Sequence, residues 1–127
     1  MSRSATGSTE AGVRRGEIWS VDLEPAVGSE SSKRRPAVIV SNDHANVAAE
    51  RGGAGTITVV PLTSNLRTVL PFQVELSRAD TGLRHDSKAQ AEQVRAISPR
   101  RLGRRVGLVA RDRMLDVDRA LRLHLDL

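Results

Sequence analysis

The chain has 127 residues, enough for one domain that buries its own hydrophobic core. It contains no cysteine, which excludes disulfides and thiolate metal sites and suits a reducing cytoplasm. No apolar stretch is long enough to cross a membrane or to form the core of a signal peptide. The net charge of +5 favours a polyanionic partner, nucleic acid first, although an arginine bias can equally follow from genome composition.

Aromatic residues are scarce, and this limits how the chain can hold RNA. Trp19 and Phe72 are the only two members of the Phe, Tyr and Trp class. Binding domains that stack successive bases need several exposed rings. Trp19 alternates with Val21 and Leu23, so we predict that its ring packs in the core. An RNA partner would therefore be bound by arginine side chains and backbone groups.

Residues 1–13 are rich in Ser, Thr, Gly and Ala and predict a disordered leader, followed by one domain over residues 14–127. Alternating or β-branched apolar residues predict strands at 17–23, 37–41, 56–60, 72–76 and 106–109. A short helix over 43–50, capped by Asn42 or Asp43, and an amphipathic helix from about residue 112 complete the main elements. Turns are predicted at 51–55 and 80–83, and a short helical turn at 98–99.

Five or six short strands with little helix predict a mostly β (α+β) fold. The favoured architecture is a small, closed and largely antiparallel barrel flanked by short helices.

The stretch from Gly28 to Asn42 carries the main candidate site. It begins as a polar loop with one carboxylate, Glu30, and becomes a buried strand after Pro36. Arg35 therefore lies where a mobile loop meets a rigid core, while Glu30 and Lys33 can close over a ligand. A guanidinium held in this way is suited to binding a phosphate.

The sequence also resembles the MazF/PemK (Kid-like) toxins of bacterial type II toxin–antitoxin systems, over about residues 14–127. No single motif is specific, but their order and spacing together are. The motifs are Arg15-Gly16-Glu17-Ile18-Trp19, Val21-Asp22-Leu23, Gly28-Ser29-Glu30, Arg35-Pro36-Ala37-Val38, Ser41-Asn42, Val59-Val60-Pro61-Leu62-Thr63-Ser64, Ala91-Glu92-Gln93-Val94-Arg95 and His124-Leu125-Asp126-Leu127.

The resemblance implies an SH3-like barrel, a homodimer and a ribosome-independent endoribonuclease, an mRNA interferase. It also implies strand structure at 87–97, where residue propensities favour a helix. The expected partners are single-stranded RNA (mRNA, with tRNA or rRNA as alternatives) and a cognate MazE-like antitoxin, in the cytoplasm. Since the surface is basic, we expect the antitoxin segment that blocks RNA to be acidic.

The resemblance assigns catalysis to Arg35 and Thr63, and in some members to the loop carboxylate, here Glu30. Without a metal, RNA can be cleaved by its own 2′-hydroxyl, which gives a 2′,3′-cyclic phosphate and a 5′-hydroxyl. Arg35 would stabilise the added negative charge, Thr63 would position a phosphate oxygen, and Glu30 could act as general base. From local sequence alone, Thr63 is better explained as a turn or helix cap, and Glu30 is equally well explained as an exposed charge beside Lys33 or Arg34. Further expected substrate-binding residues are Lys33, Arg34, Ser64, Asn65, Gln93 and Arg95.

Metal ligation is not predicted, and no cofactor is expected. The histidines, His44, His85 and His124, are far apart and lack the spacing of a metal-binding motif. A second basic feature spans residues 95–113 and holds seven arginines against Asp112. It is consistent with an RNA-tracking patch or with an ordinary solvated face.

Two other functions remain open on the sequence alone. One is a toxin of the same barrel that poisons gyrase by binding protein, since a fold does not fix a function. Such a toxin is not expected to keep Arg35 and Thr63. The other is a non-catalytic SH3-like module, which the scarcity of aromatic residues disfavours.

Overall fold

The computed structural model describes residues 12–23, 34–52 and 55–127. Over these ranges the chain forms seven strands, three α-helices and two short 3₁₀ segments. In chain order they are β1 (Glu17–Asp22), β2 (Arg34–Ile39), α1 (Asp43–Gly52), β3 (Ile57–Thr63), β4 (Gln73–Leu76), α2 (Arg78–Thr81), β5 (Ser87–Gln90), a 3₁₀ turn (Ala91–Gln93), β6 (Arg95–Ile97), a 3₁₀ turn (Pro99–Arg101), β7 (Leu102–Leu108) and α3 (Arg111–Leu125).

The strands form one antiparallel sheet in the order β4-β5-β3-β2-β1-β7, with β6 paired to β3. This confirms the mostly β fold with flanking helices and a C-terminal amphipathic helix. The closed barrel expected from the sequence is wrong in one respect: strand pairing does not close the sheet, because its end strands β4 and β7 do not pair within the described ranges. Backbone contacts from α2 bridge that gap instead, and the amide of Ala110 donates to the carbonyl of Asp80 at 2.9 Å.

The central strands are buried on both faces, and this explains their continuous apolar sequences. Ile18, Val38 and Val60 belong to one core cluster, which α3 covers with Met114, Val117 and Ala120. The second cluster, on the opposite face, includes Val21, Leu23, Ala37, Ile39 and Val59, and Trp19 packs against it. The predicted core position of Trp19 is therefore confirmed, although its ring is only half-buried.

Several element boundaries differ from the sequence-based expectation. Strand β2 begins at Arg34 rather than at residue 37, and β7 begins at Leu102 rather than at 106. In both cases the added residues include arginines for which the sequence predicted no strand. Their backbone is extended because it pairs with β1. The turn predicted at 80–83 is partly wrong, because Asp80 and Thr81 belong to helix α2, which Ser77 and Asp80 cap reciprocally. The strand expected at 87–97 is interrupted by the 3₁₀ turn at 91–93.

The segments next to the undescribed ranges are well anchored. Asn42 caps α1, because its Oδ1 accepts from the amide of Ala45 at 2.8 Å. Val13, which the sequence places in the leader, is 2% exposed, and its amide donates to Glu50 Oε1 at 3.0 Å. Residues 1–11 and the loop 24–33 lie outside the described residues. Within the described ranges, no helix is both long and apolar enough to cross a bilayer.

Candidate active site

A cavity of about 420 Å³ opens where β2 begins and β3 ends. Arg34 and Arg35 line it from the start of β2, and Thr63 and Ser64 line it from the end of β3. Both arginines and Ser64 are exposed, and Thr63 is half-buried. Four of the residues that the sequence indicated as site residues therefore face one cavity.

The register of the sheet explains how Arg35 and Thr63 meet. Strands β2 and β3 pair antiparallel with Ala37 opposite Pro61 and Ile39 opposite Val59. That pairing ends at Ala37 and Pro61, and beyond it β2 extends back through Arg35 while β3 runs on to Thr63. Two residues that are 28 positions apart in sequence thus lie at the same end of this ladder and line one cavity.

Four further polar residues line the cavity, and sequence reasoning did not identify them: Ser20, Arg84, His85 and Ser87. Ser20 lies on β1, Arg84 and His85 lie in the segment before β5, and Ser87 is the first residue of β5. Strand β5 pairs with β3 with Lys88 opposite Thr63, so the residues just before it reach the same edge. Local sequence patterns could not identify these residues, because the long-range pairing of β5 with β3 determines their position.

The cavity is strongly cationic. Its lining includes three arginines, Arg34, Arg35 and Arg84, and no Asp or Glu from the described residues. Within those residues none of the three arginines forms an ion pair, although Asp22 faces Arg34 across the β1–β2 ladder. Pro36, Leu62, Leu83 and Val106 supply apolar walls. Planar, unpaired guanidinium groups above apolar walls are suited to bind phosphate oxygens.

Thr63 fits both roles that its sequence allowed. Its Oγ1 accepts a hydrogen bond from the amide of Asn65 at 3.2 Å, which is the contact of a turn cap. The hydroxyl proton remains available to donate into the cavity. Asn65 itself is exposed, is not among the cavity-lining residues, and accepts from the amide of Arg67 at 3.1 Å. Its contact is that of a turn residue.

The other sequence-predicted site residues are not brought into this cavity. Glu30 and Lys33 lie outside the described residues. Gln93 and Arg95 are exposed and do not line the cavity. The Arg95 Nη1 donates instead to the carbonyl of Leu23 at 2.8 Å, at the start of the loop that carries Glu30.

The arginine-rich feature at 95–113 is partly structural. Arg101 Nη1 donates to the carbonyl of Asp22 at 3.1 Å, and Arg105 pairs with the buried carboxylate of Glu17 at 3.2 Å. Arg113 contacts Asp116 and the backbone carbonyl of Glu75. With Arg95, four of these seven arginines therefore hold other parts of the domain in place.

The histidines and carboxylates of the described ranges do not form a group of three or more that could hold a metal ion. His44 lies on α1, His85 before β5 and His124 near the end of α3. The ring of His124 stands 5.6 Å from that of Phe72.

One carboxyl, Asp80, has a clearly displaced pKa, and it lies outside the cavity lining. Hydrogen bonds from the backbone amide and the hydroxyl of Ser77, with the nearby Arg113 guanidinium, lower the pKa of Asp80 below its ordinary value of 3.8, against a smaller opposing effect of burial.

Comparison with known proteins places the chain in a family. A profile described as PemK-like, MazF-like toxin of type II toxin–antitoxin system matches residues 14–125. Endoribonuclease MazF9 of Mycobacterium tuberculosis is 59% identical over 115 residues, which cover 91% of this chain and 98% of that protein. Probable endoribonuclease MazF1 of the same organism is 51% identical over 88 residues, covering 67% of this chain and 95% of that protein.

Solved structures agree on the fold. A MazE–MazF complex from Deinococcus radiodurans has a TM-score of 0.70 and 25% identity, covering 91% of this chain and 96% of that chain. An endoribonuclease in complex with its cognate antitoxin, from a mycobacterial species, has a TM-score of 0.69 and 24% identity, covering 91% and 96%.

Proposed function

The chain belongs to the family of PemK-like, MazF-like toxins of type II toxin–antitoxin systems, and we propose that it is a metal-independent endoribonuclease that cleaves single-stranded RNA at the Arg35–Thr63 cavity. The observation that carries the proposal is the convergence of Arg35 and Thr63 in a cavity lined by three arginines and no described carboxylate. The endoribonuclease names of relatives at 59% and 51% identity support the same reaction.

In the proposed reaction the 2′-hydroxyl of the RNA attacks the adjacent phosphorus, and the bond to the 5′ oxygen of the next nucleotide breaks. The products are a 2′,3′-cyclic phosphate and a 5′-hydroxyl. Arg35 stabilises the negative charge that builds up on the phosphorane, because a guanidinium presents two parallel donors to phosphate oxygens. Thr63 donates its hydroxyl proton to one of those oxygens and holds the phosphate in line. Glu30 is proposed as the general base that takes the 2′ proton.

Metal independence follows in this proposal from the chemistry of the lining residues. Magnesium ions in phosphoryl-transfer sites are held by carboxylates, which neutralise the metal's charge. The described lining offers guanidinium groups in their place, and these supply positive charge directly to the phosphate.

Incubation of the purified protein with a long RNA, followed by sequencing of the new ends, tests the proposal. Discrete cuts with 5′-hydroxyl and cyclic phosphate ends, unchanged in EDTA, are expected. Activity that EDTA abolishes and Mg²⁺ or Mn²⁺ restores would contradict metal independence. A protein that leaves RNA intact but inhibits gyrase would instead support the gyrase-poisoning alternative. No described feature of the cavity favours that alternative.

We also propose a cognate antitoxin whose acidic segment occupies the same cavity, in a cytoplasmic setting where RNA is available. Both the cationic lining and the antitoxin complexes of structural neighbours support this. RNA and the antitoxin segment should then exclude each other in a competition titration, and their association should slow as salt rises. A stable ternary complex with full RNA occupancy would move the antitoxin away from the cavity.

The active unit is proposed to be a homodimer, as expected for this family. Sedimentation or light scattering of the purified toxin, with and without the antitoxin, measures this directly. A monomer that retains full RNA cleavage would contradict it.

A further inference from the structure

Two cavity arginines have no role in the reaction proposed above. Arg34 precedes Arg35 and is the first residue of β2. Arg84 comes from the segment between α2 and β5. Both line the cavity together with Arg35 and Thr63. The cavity therefore carries more cationic groups than one reacting phosphate requires.

The guanidinium of Arg34 lies against the edge strand β7. A Cβ atom added to Gly103 would stand 2.7 Å from Arg34 Nη1, and closer still to Ser20 Oγ. Thr63 lies on β3, which is separated from β7 by β2 and β1. Neighbouring strands are about 4.8 Å apart, so the Arg34 guanidinium is displaced across the cavity from the Arg35–Thr63 pair. The absence of a side chain at Gly103 provides the space that this placement needs.

Arg84 is held from both ends of its segment. On one side the chain crosses β7 closely, since a Cβ atom at Gly107 would stand 2.5 Å from the carbonyl oxygen of Thr81. On the other side Ser87 begins β5, which pairs with β3 next to Thr63. Asp86 Oδ1 also accepts from the amide of Arg78 at 2.8 Å. A segment anchored in this way keeps Arg84 at the cavity.

We propose that Arg34 and Arg84 form a second phosphate subsite, which binds the RNA backbone phosphate next to the one held by Arg35 and Thr63. This inference rests on the proposed function. Like charges gathered without described carboxylates repel one another, and an anion bound between them relieves that repulsion. A nucleic-acid strand supplies such an anion at every nucleotide, so two subsites fix the register of the RNA across the cavity.

The test is a neutralisation scan along one bound oligonucleotide. Its sequence is taken from the mapped cleavage site, and a 2′-deoxy substitution at the cut nucleotide prevents cleavage. Methylphosphonate replaces one phosphate at a time and removes its charge. With the wild-type protein, binding should weaken about tenfold at two linkages, the cleaved one and one neighbour.

Protein variants then assign each linkage to its subsite. In Arg34→Gln and in Arg84→Gln, the penalty at the neighbouring linkage should disappear and the penalty at the cleaved linkage should remain. Arg35→Gln should give the reverse pattern. The slope of log affinity against log salt should fall by about 0.7 when one single-strand phosphate contact is lost. Arg122→Gln, which removes the same charge from an exposed position on α3 outside the cavity lining, should change neither penalty.

Gly103→Ala provides a variant that leaves every charge in place. The added methyl group should displace the Arg34 side chain and so remove the neighbouring penalty as Arg34→Gln does. In the Arg34→Gln background, Gly103→Ala should have no further effect on that penalty. Ser20→Ala controls for the loss of the hydrogen bond that Ser20 Oγ accepts from the amide of Arg104 at 3.1 Å, and it should keep the penalty.

The outcomes separate this inference from the proposed function. A neighbouring penalty that is absent, or that persists in Arg34→Gln, overturns the second subsite while leaving the reaction at Arg35 intact. A cleaved-linkage penalty that Arg35→Gln does not remove overturns the placement of the reaction itself. Variants of Arg34 and Arg84 that bind RNA normally but lose the antitoxin would assign these arginines to the antitoxin, contrary to this proposal.

Discussion

The cavity arginines and the arginines of residues 95–113 differ in what their guanidinium groups contact. Arg34, Arg35 and Arg84 line the cavity without an ion pair in the described residues. Arg95 and Arg101 donate to backbone carbonyls at the end of β1. Residues 95–113 have the higher density of arginines in the sequence, yet it is Arg34, Arg35 and Arg84 that line the cavity. The partners of a cation, rather than its abundance, therefore indicate where a polyanion can bind.

The largest effect should come from Arg35. Arg35→Ala should lower the RNA cleavage rate about 10²–10³-fold, the usual cost of losing one group that stabilises transition-state charge. Arg35→Lys should be nearly as poor, because an ammonium cannot form the two parallel bonds of a guanidinium. Both variants should keep the wild-type melting temperature, since Arg35 is exposed.

Arg104→Ala is the matched control in the other region. Arg104 is exposed on β7, outside the cavity lining. The Arg104→Ala variant should therefore cleave RNA at a rate within a few-fold of wild type. Near-normal cleavage by Arg35→Ala, or a large loss in Arg104→Ala, would reverse the comparison.

Thr63 should show the next largest effect. Thr63→Val removes the hydroxyl at nearly constant volume and should lower the cleavage rate about tenfold to hundredfold, the value of one hydrogen bond to a charged group. Thr63→Ser keeps the donor and should retain most of the activity. Equal rates for the Val and Ser variants would leave Thr63 only its turn contact with Asn65.

Among the residues that contact the arginines of residues 95–113, Glu17 should contribute most to the stability of the fold. Its carboxylate is buried and accepts from the Arg14 amide, Trp19 Nε1 and Arg105, at 3.0, 3.0 and 3.2 Å. Glu17→Gln should lower the free energy of unfolding by about 2–3 kcal/mol, because charge-assisted bonds are lost at a buried site. Arg105→Gln should cost less, since its side chain is 54% exposed. Chemical denaturation measures both values, and a larger loss in Arg105→Gln would contradict this assignment.

Arg95 and Arg101 should sharpen the contrast between the two regions. Arg95→Gln and Arg101→Gln should each cost about 1–2 kcal/mol of stability, through lost bonds to the carbonyls of Leu23 and Asp22. The salt dependence of RNA binding should not change, because these guanidinium groups are occupied by protein. Arg34→Gln should behave oppositely, with a reduced salt slope and an unchanged melting temperature. A fall in the salt slope for Arg95→Gln or Arg101→Gln would show instead that the substituted arginine contacts RNA.

The smallest effect concerns pH and the cap of α2. Because the folded-state pKa of Asp80 lies below its unfolded value, its carboxylate stabilises the fold above about pH 4. That contribution is lost as pH falls through the lowered folded-state pKa. Asp80→Asn should therefore reduce stability by about 1 kcal/mol near neutral pH, and the difference from wild type should shrink in acid. Chemical denaturation of both proteins over a pH series measures this difference, and a difference that stays constant in acid would contradict the assignment.

Local sequence patterns predicted five of the seven described strands, two of the three described α-helices and the position of Arg35. Alternating and β-branched residues predicted strands wherever an apolar run met a core face, as at residues 17–23 and 56–60. The Arg35–Pro36 junction predicted the start of a buried strand, which in the structure begins at Arg34, and the family motifs linked Arg35 to Thr63. Family resemblance also favoured strand over helix at 87–97, where propensity alone would have failed because tertiary pairing outweighs it.

Tertiary structure alone decided which charges gather and which are neutralised. Glu17 looks like a solvent-facing residue of an alternating strand, but β1 is paired on both sides and its Glu17 is buried. Arg84 and His85 fall outside every strand and turn predicted from the sequence, but β5 pairs with β3 and carries them to the cavity. Arg95 looks like a free cation, but its partner is a carbonyl 72 residues away. Periodicity encodes the face that a residue takes within its own strand, whereas its neighbours across the sheet depend on register and strand order.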